Sequence, residues 1–204
     1  PTNAMQRFEV AVARRVSREP LQHITGKAPF RHLELKVGKG VFTPRPETEQ
    51  VVGFAMEKIS KIVNPLIVDL CAGSGAVALS LATEIQGSNV FAVELSQEAF
   101  RYLRENAASC NLSEMNLRNE DLQESLGELD GQVDLVISNP PYIPNDAIPV
   151  DLEVLLHDPA MALYGGVDGL DVVRQISVRA LKLLKPGGLL VLEHADSQSS
   201  AIGK

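Results

Sequence analysis

The sequence contains no tryptophan, and aromatic residues make up only 4% of its 204 residues. Proteins that bind single-stranded nucleic acid stack bases on aromatic side chains, so this scarcity argues against that class. Apolar runs are short as well, and none approaches the about 18 residues that a membrane-spanning helix requires. The segment 1–15 has no apolar stretch of the kind found in a secretory signal. We therefore expect no association with a membrane.

Cysteine is equally scarce, because Cys71 and Cys110 are the only two. Two cysteines cannot form a disulfide framework, and a reduced, cytoplasmic environment fits this usage best. A structural zinc site needs four closely spaced ligands, which the sequence does not supply. We expect a cytoplasmic protein without a bound metal ion.

The net charge of −7 is unevenly distributed along the chain. Residues 1–45 carry nine lysines and arginines against three glutamates, a balance of +6 that leaves −13 for residues 46–204. Phosphate binding is largely electrostatic, so the acidic part is poorly suited to holding nucleic acid by itself. For the basic segment there are two interpretations: a solvated helix face, which we favour, or a surface for an acidic or RNA-containing partner.

The apolar pattern changes along the chain and predicts the fold. Residues 5–18 are expected to form a helix, residues 20–45 a small hairpin, and residues 47–61 a second helix. From Pro65 onward, apolar runs of strand length alternate with helices over 75–85, 96–108 and 168–184, with a turn at 186–188. The predicted strands are Leu66–Leu70, Val90–Glu94, Met115–Arg118, Val133–Ile137 and Leu189–Glu193. This alternation predicts an α/β fold with a doubly wound, mostly parallel sheet, preceded by a small N-terminal helix and hairpin segment.

The segment after the first predicted strand of that sheet has the features of a nucleotide-binding loop. Residues 69–76 read DLCAGSGA, and the glycines allow a tight turn and let a ligand approach the backbone. Glu94 ends the next strand, where a carboxylate can accept hydrogen bonds from both hydroxyls of a ribose. The loop also satisfies the dinucleotide pattern G-x-G-x-x-G/A. Asp69 suits the ammonium of S-adenosylmethionine better than a pyrophosphate and favours that cofactor; a helix-capping or turn role for Asp69 is the alternative.

The strongest motif follows the fourth predicted strand of the sheet and reads Asn139-Pro140-Pro141-Tyr142. The Asn139 side-chain oxygen and the Pro140 carbonyl are two acceptors on a loop that the prolines stiffen. They suit the two hydrogens of a planar NH2 group, and Tyr142 offers a flat face to its plane. Holding both hydrogens directs the nitrogen lone pair toward a methyl donor and stabilises the positive charge that develops on nitrogen. The motif predicts N-methyl transfer; a Pro-Pro turn without a chemical role is the alternative.

This motif alone does not select the substrate, because adenine, cytosine, guanine and a glutamine side chain all present a planar NH2 group. Further segments narrow the choice: PLQHITG at 20–26, VFTPRPETE at 41–49, and HDPAMAL at 157–163 with the glycines that follow it. Together with DLCAGSGA and NPPY they resemble the protein-(glutamine-N5) methyltransferases, and within these the class that modifies peptide chain release factors. The resemblance extends from about residue 20 to residue 193. Nucleic-acid amino-methyltransferases share NPPY but not PRPETE.

The resemblance implies a class I, Rossmann-like methyltransferase fold, with S-adenosyl-L-methionine as cofactor and S-adenosyl-L-homocysteine as product. Its substrate would be the glutamine of the Gly-Gly-Gln motif of release factors. The cofactor residues that it implies are Asp69, Cys71, Ala72, Gly73, Ser74, Gly75, Glu94, Leu95, Asp121, Leu122 and Asn139. Asn139, Pro140, Pro141 and Tyr142 would hold the glutamine amide, with Asn139, Pro140 and Tyr142 carrying the catalysis. Arg45, Glu47 and Thr48 would shape the entrance, although an ion pair or a helix cap explains Glu47 equally well.

The chain also departs from the family pattern. Cys71 stands where glycine is usual, Glu94 where aspartate is usual, and Leu122 where an aromatic residue is frequent. None of these changes removes a catalytic group. The family usually has a longer helical N-terminal domain and a C-terminal hairpin. We therefore expect residues 1–45 to be a truncated substrate-recognition domain, and residues 46–204 a methyltransferase domain that lacks the hairpin.

Other functions stay open from the sequence alone. Within enzymes, the alternative is a methyltransferase acting on a ribosomal-protein glutamine or on an exocyclic amino group of a nucleic acid. A non-catalytic module that keeps the cofactor fold is a second alternative. A nicotinamide oxidoreductase has the least support, because no set of residues for hydride transfer is evident. We expect a monomer without stable binding to nucleic acid.

Overall fold

The computed structural model describes residues 2–149 and 151–203. Its strands are β1 (Lys27–Phe30), β2 (Leu33–Lys36), β3 (Leu66–Leu70), β4 (Asn89–Val93), β5 (Asn116–Arg118), β6 (Val133–Ser138) and β7 (Leu184–Leu192). Its α-helices are α1 (Thr2–Val16), α2 (Leu21–Thr25), α3 (Pro46–Ile59), α4 (Ala76–Glu84), α5 (Gln97–Ser109), α6 (Leu152–His157), α7 (Ala160–Leu163), α8 (Asp171–Leu183) and α9 (Ser199–Ile202). No helix within these described ranges is long and apolar enough to cross a membrane.

Five strands form one parallel sheet in the order β5-β4-β3-β6-β7. The predicted α/β, doubly wound fold is thereby confirmed. All six residues of β6 are buried, as expected for a central strand that is covered on both faces. The chain runs outward from β3 to β4 and β5, then returns to place β6 on the other side of β3. This reversal is a topological switch point, and ligands of such sheets bind beyond the carboxyl ends of the strands that flank it.

The N-terminal segment contains a two-stranded antiparallel hairpin, β1 and β2, and β2 packs against the helices α4 and α5. Leu35 and Val41 are fully buried. Asn106 on α5 holds the hairpin: its side chain accepts a hydrogen bond from the Lys36 amide at 2.7 Å and donates one to the Lys36 carbonyl at 3.0 Å. The same Asn106 amide donates to the Ser74 carbonyl at 2.9 Å. One buried side chain therefore connects the hairpin to the loop that follows β3.

The structure corrects two of the predicted elements. The predicted turn at 186–188 lies inside β7, because Leu184 pairs with Val133 and Leu189 pairs with Leu135 on the same neighbouring strand. The intervening residues are therefore a bulge within one strand. The predicted start of the last long helix at Asp168 is also wrong, and α8 begins at Asp171. The Asp168 carboxylate instead accepts a hydrogen bond from the Leu170 amide, which forms a turn ahead of the helix.

The basic residues of the N-terminal segment are largely matched by nearby carboxylates. Six of the nine cations in residues 1–45 form ion pairs, namely Arg14, Arg15, Lys27, Arg31, Lys36 and Arg45. Four of their partners, Glu153, Glu84, Glu105 and Asp158, belong to the acidic part of the chain. The charge asymmetry of the sequence is thus partly offset within the fold. This arrangement favours the interpretation as a solvated, internally paired surface.

Candidate active site

A cavity of about 460 Å³ lies beyond the carboxyl ends of β3, β4 and β6. Its volume is within the range of small-molecule sites. Most of the residues proposed for cofactor and substrate line it: Arg45, Asp69, Cys71, Ala72, Gly73, Ser74, Glu94, Leu95, Asp121, Leu122, Asn139, Pro140, Pro141 and Tyr142. Segments that are distant in sequence, 42–48, 69–77, 93–99, 120–122 and 139–143, therefore meet in one cavity.

Two of the proposed residues are not among those that line the cavity. Gly75 is the N-cap of α4 with φ of +90°, and a Cβ there would lie 2.6 Å from Leu103 Cδ1. Its role in this structure is therefore to let the loop turn tightly against α5. Glu47 is exposed, on the first turn of α3. Burial raises the pKa of Tyr142 and of Glu193, and charge repulsion from the Glu47 carboxylate adds a smaller contribution.

At the cofactor side of the cavity, Asp69 is a buried carboxylate with one free oxygen. Its Oδ2 accepts a hydrogen bond from the Ala78 amide on the first turn of α4 at 3.0 Å, which realises the helix-capping role. Its Oδ1 is buried and has no hydrogen-bond partner among the described residues. Burial raises the pKa of Asp69 well above its ordinary value. A buried acceptor left open in this way is expected to receive a donor from a ligand.

Glu94 supports the loop after β3 from the neighbouring strand. Its two carboxylate oxygens accept hydrogen bonds from the backbone amides of Gly73, at 2.8 Å, and Ser96, at 2.7 Å. Burial raises the pKa of Glu94. Each carboxylate oxygen can accept a second hydrogen bond, so these contacts do not prevent ribose hydroxyls from binding. Cys71 in the same loop has φ of +66°, the region in which glycine is least strained, which gives a physical reason for the glycine expected there.

Asn139 follows the last residue of β6, the strand that pairs with β3, and its amide has a defined orientation. The Nδ2 group donates a hydrogen bond to Thr48 Oγ1 at 3.1 Å. Thr48 is buried on the first part of α3, a helix that begins at Pro46 immediately after Arg45. With Nδ2 engaged, Asn139 Oδ1 is the atom left to accept a hydrogen bond from a ligand in the cavity. This is the atom that the motif requires as an acceptor.

The Asn139–Tyr142 loop and the residue after it are held by hydrogen bonds from later segments of the chain. The Gln198 side chain donates hydrogen bonds to the Tyr142 carbonyl at 2.9 Å and to the Asp168 carbonyl at 3.3 Å. Ile143 forms an isolated parallel bridge with Tyr164, and the Gly165 amide donates to the Ile143 carbonyl at 2.9 Å. The loop is thus fixed by backbone contacts as well as by its prolines. Its acceptors are held in place before any substrate binds.

Arg45 lines the cavity, but its charge is already paired. Its guanidinium lies 2.7 Å from Asp158 Oδ2, and the Asp158 side chain is fully buried. The guanidinium also lies 5.0 Å from the ring centre of Phe42, which is a cation–π geometry. These contacts join the loop before α3 to the segment between α6 and α7. In this structure Arg45 shapes one wall of the cavity through these contacts.

Sequence reasoning missed several residues that support the site. Glu193, Gln198 and Asp158 were not recognised as contributors, and Thr48 was placed only at the entrance. All four act by reaching the site from distant parts of the chain, at separations of 51 to 113 residues. A carboxylate directly after the last strand of the sheet, beside the strand that ends in the motif, is the signal that could have identified Glu193. Short helices α6 and α7 also went unpredicted, because neither is long enough to show a helical period.

Residues 21–167 match a family profile described as Conserved hypothetical protein 95, and residues 1–26 match one described as PrmC N-terminal domain. A release factor glutamine methyltransferase of Streptomyces coelicolor is 53% identical over 199 residues, which cover 96% of this chain and 70% of that protein. The chain belongs to the release factor glutamine methyltransferase family. The resemblance seen in the sequence is thereby confirmed, and the chain is a methyltransferase.

Two further comparisons place this family member among related enzymes. A 4-amino-L-phenylalanine/4-methylamino-L-phenylalanine methyltransferase of Streptomyces pristinaespiralis is 40% identical and is matched over 96% of this chain and 68% of that protein. The solved structure of a ribosomal protein L11 methylase from Lactobacillus delbrueckii subsp. bulgaricus has a TM-score of 0.54 at 21% identity, covering 83% of this chain and 71% of that one. This last likeness concerns the fold, which is that of the class I methyltransferases.

The cavity fits the cofactor of this family, S-adenosylmethionine. The Asp69 Oδ1 atom, buried and without a partner among the described residues, would provide an acceptor for the ammonium group of its methionine part. Gly73 lines the cavity, and no atom lies within 4 Å of the position that its Cβ would take, so the backbone is open to a ligand there. Leu122 is buried, lines the same cavity and would provide an apolar surface for the adenine. The donor and acceptor set therefore matches the groups that the cofactor presents.

We expect cofactor affinity to weaken as the pH falls through the raised pKa values of Asp69 and Glu94. Burial raises the pKa of both Asp69 and Glu94, so each carboxylate takes up a proton at a higher pH than an exposed one. Protonation removes the charge that attracts the ammonium and an acceptor for the ribose. The dissociation constant of S-adenosylhomocysteine, measured by calorimetry, should rise by at most about tenfold per pH unit for each group that titrates.

The Glu94→Gln variant tests this pH dependence. It is expected to bind S-adenosylhomocysteine more weakly at pH 8, and its dissociation constant should change less with pH because one titrating group is gone. If the dissociation constants of the variant and of the original protein change equally with pH, Glu94 does not titrate over the pH range measured.

Proposed function

We propose that this chain transfers a methyl group from S-adenosylmethionine to the side-chain amide nitrogen of the glutamine in the Gly-Gly-Gln motif of peptide chain release factors. The observation that carries the proposal is the fixed Asn139 amide, whose Nδ2 is held by Thr48 while Oδ1 is left for a ligand. The Pro140 carbonyl on the same braced loop supplies the second acceptor. Family membership and the PRPETE segment favour glutamine among the planar amines that two such acceptors can hold.

The chain contributes positioning and electrostatic stabilisation to this reaction. When bound, S-adenosylmethionine supplies an electrophilic methyl group. Asn139 Oδ1 and the Pro140 carbonyl would each accept one hydrogen of the substrate amide, which directs the nitrogen lone pair, perpendicular to the amide plane, toward the cofactor side of the cavity. Once nitrogen carries the methyl group, one of these two hydrogens leaves as a proton. Both contacts strengthen as positive charge develops on nitrogen, so they favour the transition state over the ground state. The apolar wall of the cavity keeps water away from the reacting nitrogen.

The substrate class is tested by methyl transfer from labelled S-adenosylmethionine to four acceptors in parallel. These are a purified release factor, a ribosomal protein, a nucleic acid, and free 4-amino-L-phenylalanine, which corresponds to the name of one relative. We expect label in the release factor, with a kcat/KM that exceeds the others by at least about a hundredfold, or about 3 kcal/mol. Greater turnover of the free amino acid or of the nucleic acid would overturn the proposed substrate.

Tyr142→Ala should weaken binding of the protein substrate more than binding of the cofactor. The Tyr142 ring lines the cavity next to the proposed amide site, and its loss removes a flat apolar surface. We expect KM for the release factor to rise by about tenfold, which corresponds to the burial of part of an aromatic ring. The dissociation constant of S-adenosylhomocysteine should change by less than about threefold. Tyr142→Phe, which keeps the ring, is the control and should retain a near-normal KM; unchanged KM in Tyr142→Ala would contradict stacking.

We infer that residues 1–45 contribute to recognition of the protein substrate and that residues 46–204 form the methyltransferase domain. The protein would act as a monomer in the cytoplasm, where translation factors function, and would not bind nucleic acid stably. Size-exclusion chromatography with light scattering, at low and at moderate salt, tests the oligomeric state.

A further inference from the structure

We propose that Glu193, together with Thr48, is a positioning residue that sets the orientation of the Asn139 amide. The inference rests on the proposed function, because it concerns the atom that would accept a hydrogen bond from the substrate amide. Glu193 is not among the residues that line the cavity. Its effect would therefore be exerted through Asn139 and Tyr142.

The sheet places Glu193 directly beside the motif. Ser138 and Leu192 are register partners at the ends of β6 and β7. The next residues along the two strands are Asn139 and Glu193, and the Glu193 amide donates a hydrogen bond to the Ser138 carbonyl at 3.0 Å. A parallel register of this kind keeps the two side chains adjacent, because neither strand can slip without breaking the pairing. Glu193 is thus held next to Asn139 by the backbone.

The Glu193 carboxylate forms one side of a small polar cluster with Thr48, Asn139 and Tyr142. The Tyr142 hydroxyl lies 3.5 Å from Glu193 Oε1. Burial raises the pKa of Glu193, and hydrogen bonding to Thr48, Tyr142 and Asn139 opposes this rise. The second oxygen, Oε2, is buried and has no hydrogen-bond partner among the described residues. Burying a carboxylate is costly unless its acceptors are used. The open oxygen therefore favours donor groups turned toward Glu193.

The acceptor groups of Glu193 and Thr48 determine which end of the Asn139 amide faces the cavity. A carboxylate only accepts hydrogen bonds, and an Nδ2 group only donates them. On the side of Asn139 that faces Thr48 and Glu193, the structure offers acceptors, and Nδ2 points there. A reversed amide would place Oδ1 against the carboxylate and Nδ2 in the cavity, where it would repel the donor hydrogens of a substrate amide. Glu193 and Thr48 together therefore select the productive orientation.

Two near-isosteric substitutions test this role. Glu193→Gln replaces one acceptor oxygen with a donor, which permits the reversed Asn139 amide, and Thr48→Val removes the hydroxyl while keeping the shape. For each, we expect kcat on a release factor to fall by about 10- to 100-fold, as when a buried polar group loses its hydrogen-bond partner. The dissociation constant of S-adenosylhomocysteine should change by less than about threefold. Thr48→Ser, which keeps the hydroxyl, is the control and should stay within about threefold of the original kcat.

The combined variant and a measurement without turnover separate positioning from a purely structural role. Because both residues act on one amide, the fold-loss of kcat in the double variant should be smaller than the product of the fold-losses in the two single variants. The Asn139 side-chain NH2 protons, observed by nuclear magnetic resonance in labelled protein, should exchange with solvent at least about tenfold faster in Thr48→Val. An unchanged kcat in both single variants, or unchanged exchange, would overturn the inference. Lowered thermal stability with a normal kcat would also overturn it and assign Glu193 a structural role.

This design distinguishes failure of the inference from failure of the proposed function. If the unmodified protein does not methylate the release factor, the proposed function fails, whereas the exchange measurement still decides the orientation of Asn139. If the unmodified protein is active and the variants match it, only the role of Glu193 and Thr48 is refuted.

Discussion

Replacing Asn139 with alanine should nearly abolish methyl transfer while leaving the cofactor bound. The change removes Oδ1, the acceptor that the cavity presents to a substrate amide, but it leaves Asp69 and Glu94 in place at the cofactor side. We expect kcat to fall by about 10²- to 10³-fold, the range found when one electrostatic contact to a transition state is removed. Single-turnover rates and calorimetry with S-adenosylhomocysteine measure the two quantities.

The control for this variant is Asn89→Ala. Asn89 is exposed at the amino-terminal end of β4, and the cavity lies beyond the carboxyl end of that strand. This second variant should retain normal kcat and normal cofactor affinity. An Asn139→Ala protein that lost cofactor affinity and kcat equally would show that Asn139 mainly supports the cofactor, contrary to the role proposed for it.

Gly165→Ala should be nearly as damaging, although Gly165 is outside the motif. A Cβ at this position would lie 2.5 Å from the carbonyl oxygens of Pro141 and Gly169, both of which are backbone atoms. Real Cβ contacts are not this short, so the Asn139–Tyr142 loop must shift. A displacement of about 1 Å in a catalytic loop lowers activity by about a hundredfold, and overpacking of this kind costs about 1 to 3 kcal/mol of stability.

A matched glycine is available at position 127. Gly127 begins a short 3-10 helix, and a Cβ there would meet no atom within 4 Å. Gly127→Ala is expected to change stability by less than about 0.5 kcal/mol and leave kcat unaltered. Thermal unfolding and kcat, measured for both variants, check the comparison. Normal activity in Gly165→Ala would mean that the loop tolerates the shift and that its geometry is not critical.

The parts of the site that lie within one segment were predictable from the sequence. The loop at 69–76 and the motif at 139–142 each combine a strand end with residues of fixed backbone preference, so their position and chemistry can be interpreted locally. The parallel sheet follows from the alternation of strands and helices, and the structure confirms it. The orientation of the Asn139 amide was not predictable, because Thr48 approaches from a helix 91 residues earlier.

The remaining differences have the same physical origin. Arg45 was expected at the entrance as a substrate contact, and the structure pairs it with Asp158, which is 113 residues away. Gly75 was expected among the cofactor contacts, and its positive φ and close packing against Leu103 explain the glycine without a ligand. Short-range patterns report backbone preference well. They do not report which distant charge or hydroxyl completes a hydrogen-bond network.

The most direct measurement is to identify the methylated atom in a release factor after incubation with this protein and S-adenosylmethionine. Mass spectrometry of the digested product should find one methyl group, on the side-chain nitrogen of the Gly-Gly-Gln glutamine. A copy of the release factor in which that glutamine is alanine should acquire none. Methylation elsewhere, or equal methylation of both copies, would contradict the proposal that Asn139 and Pro140 hold a glutamine amide.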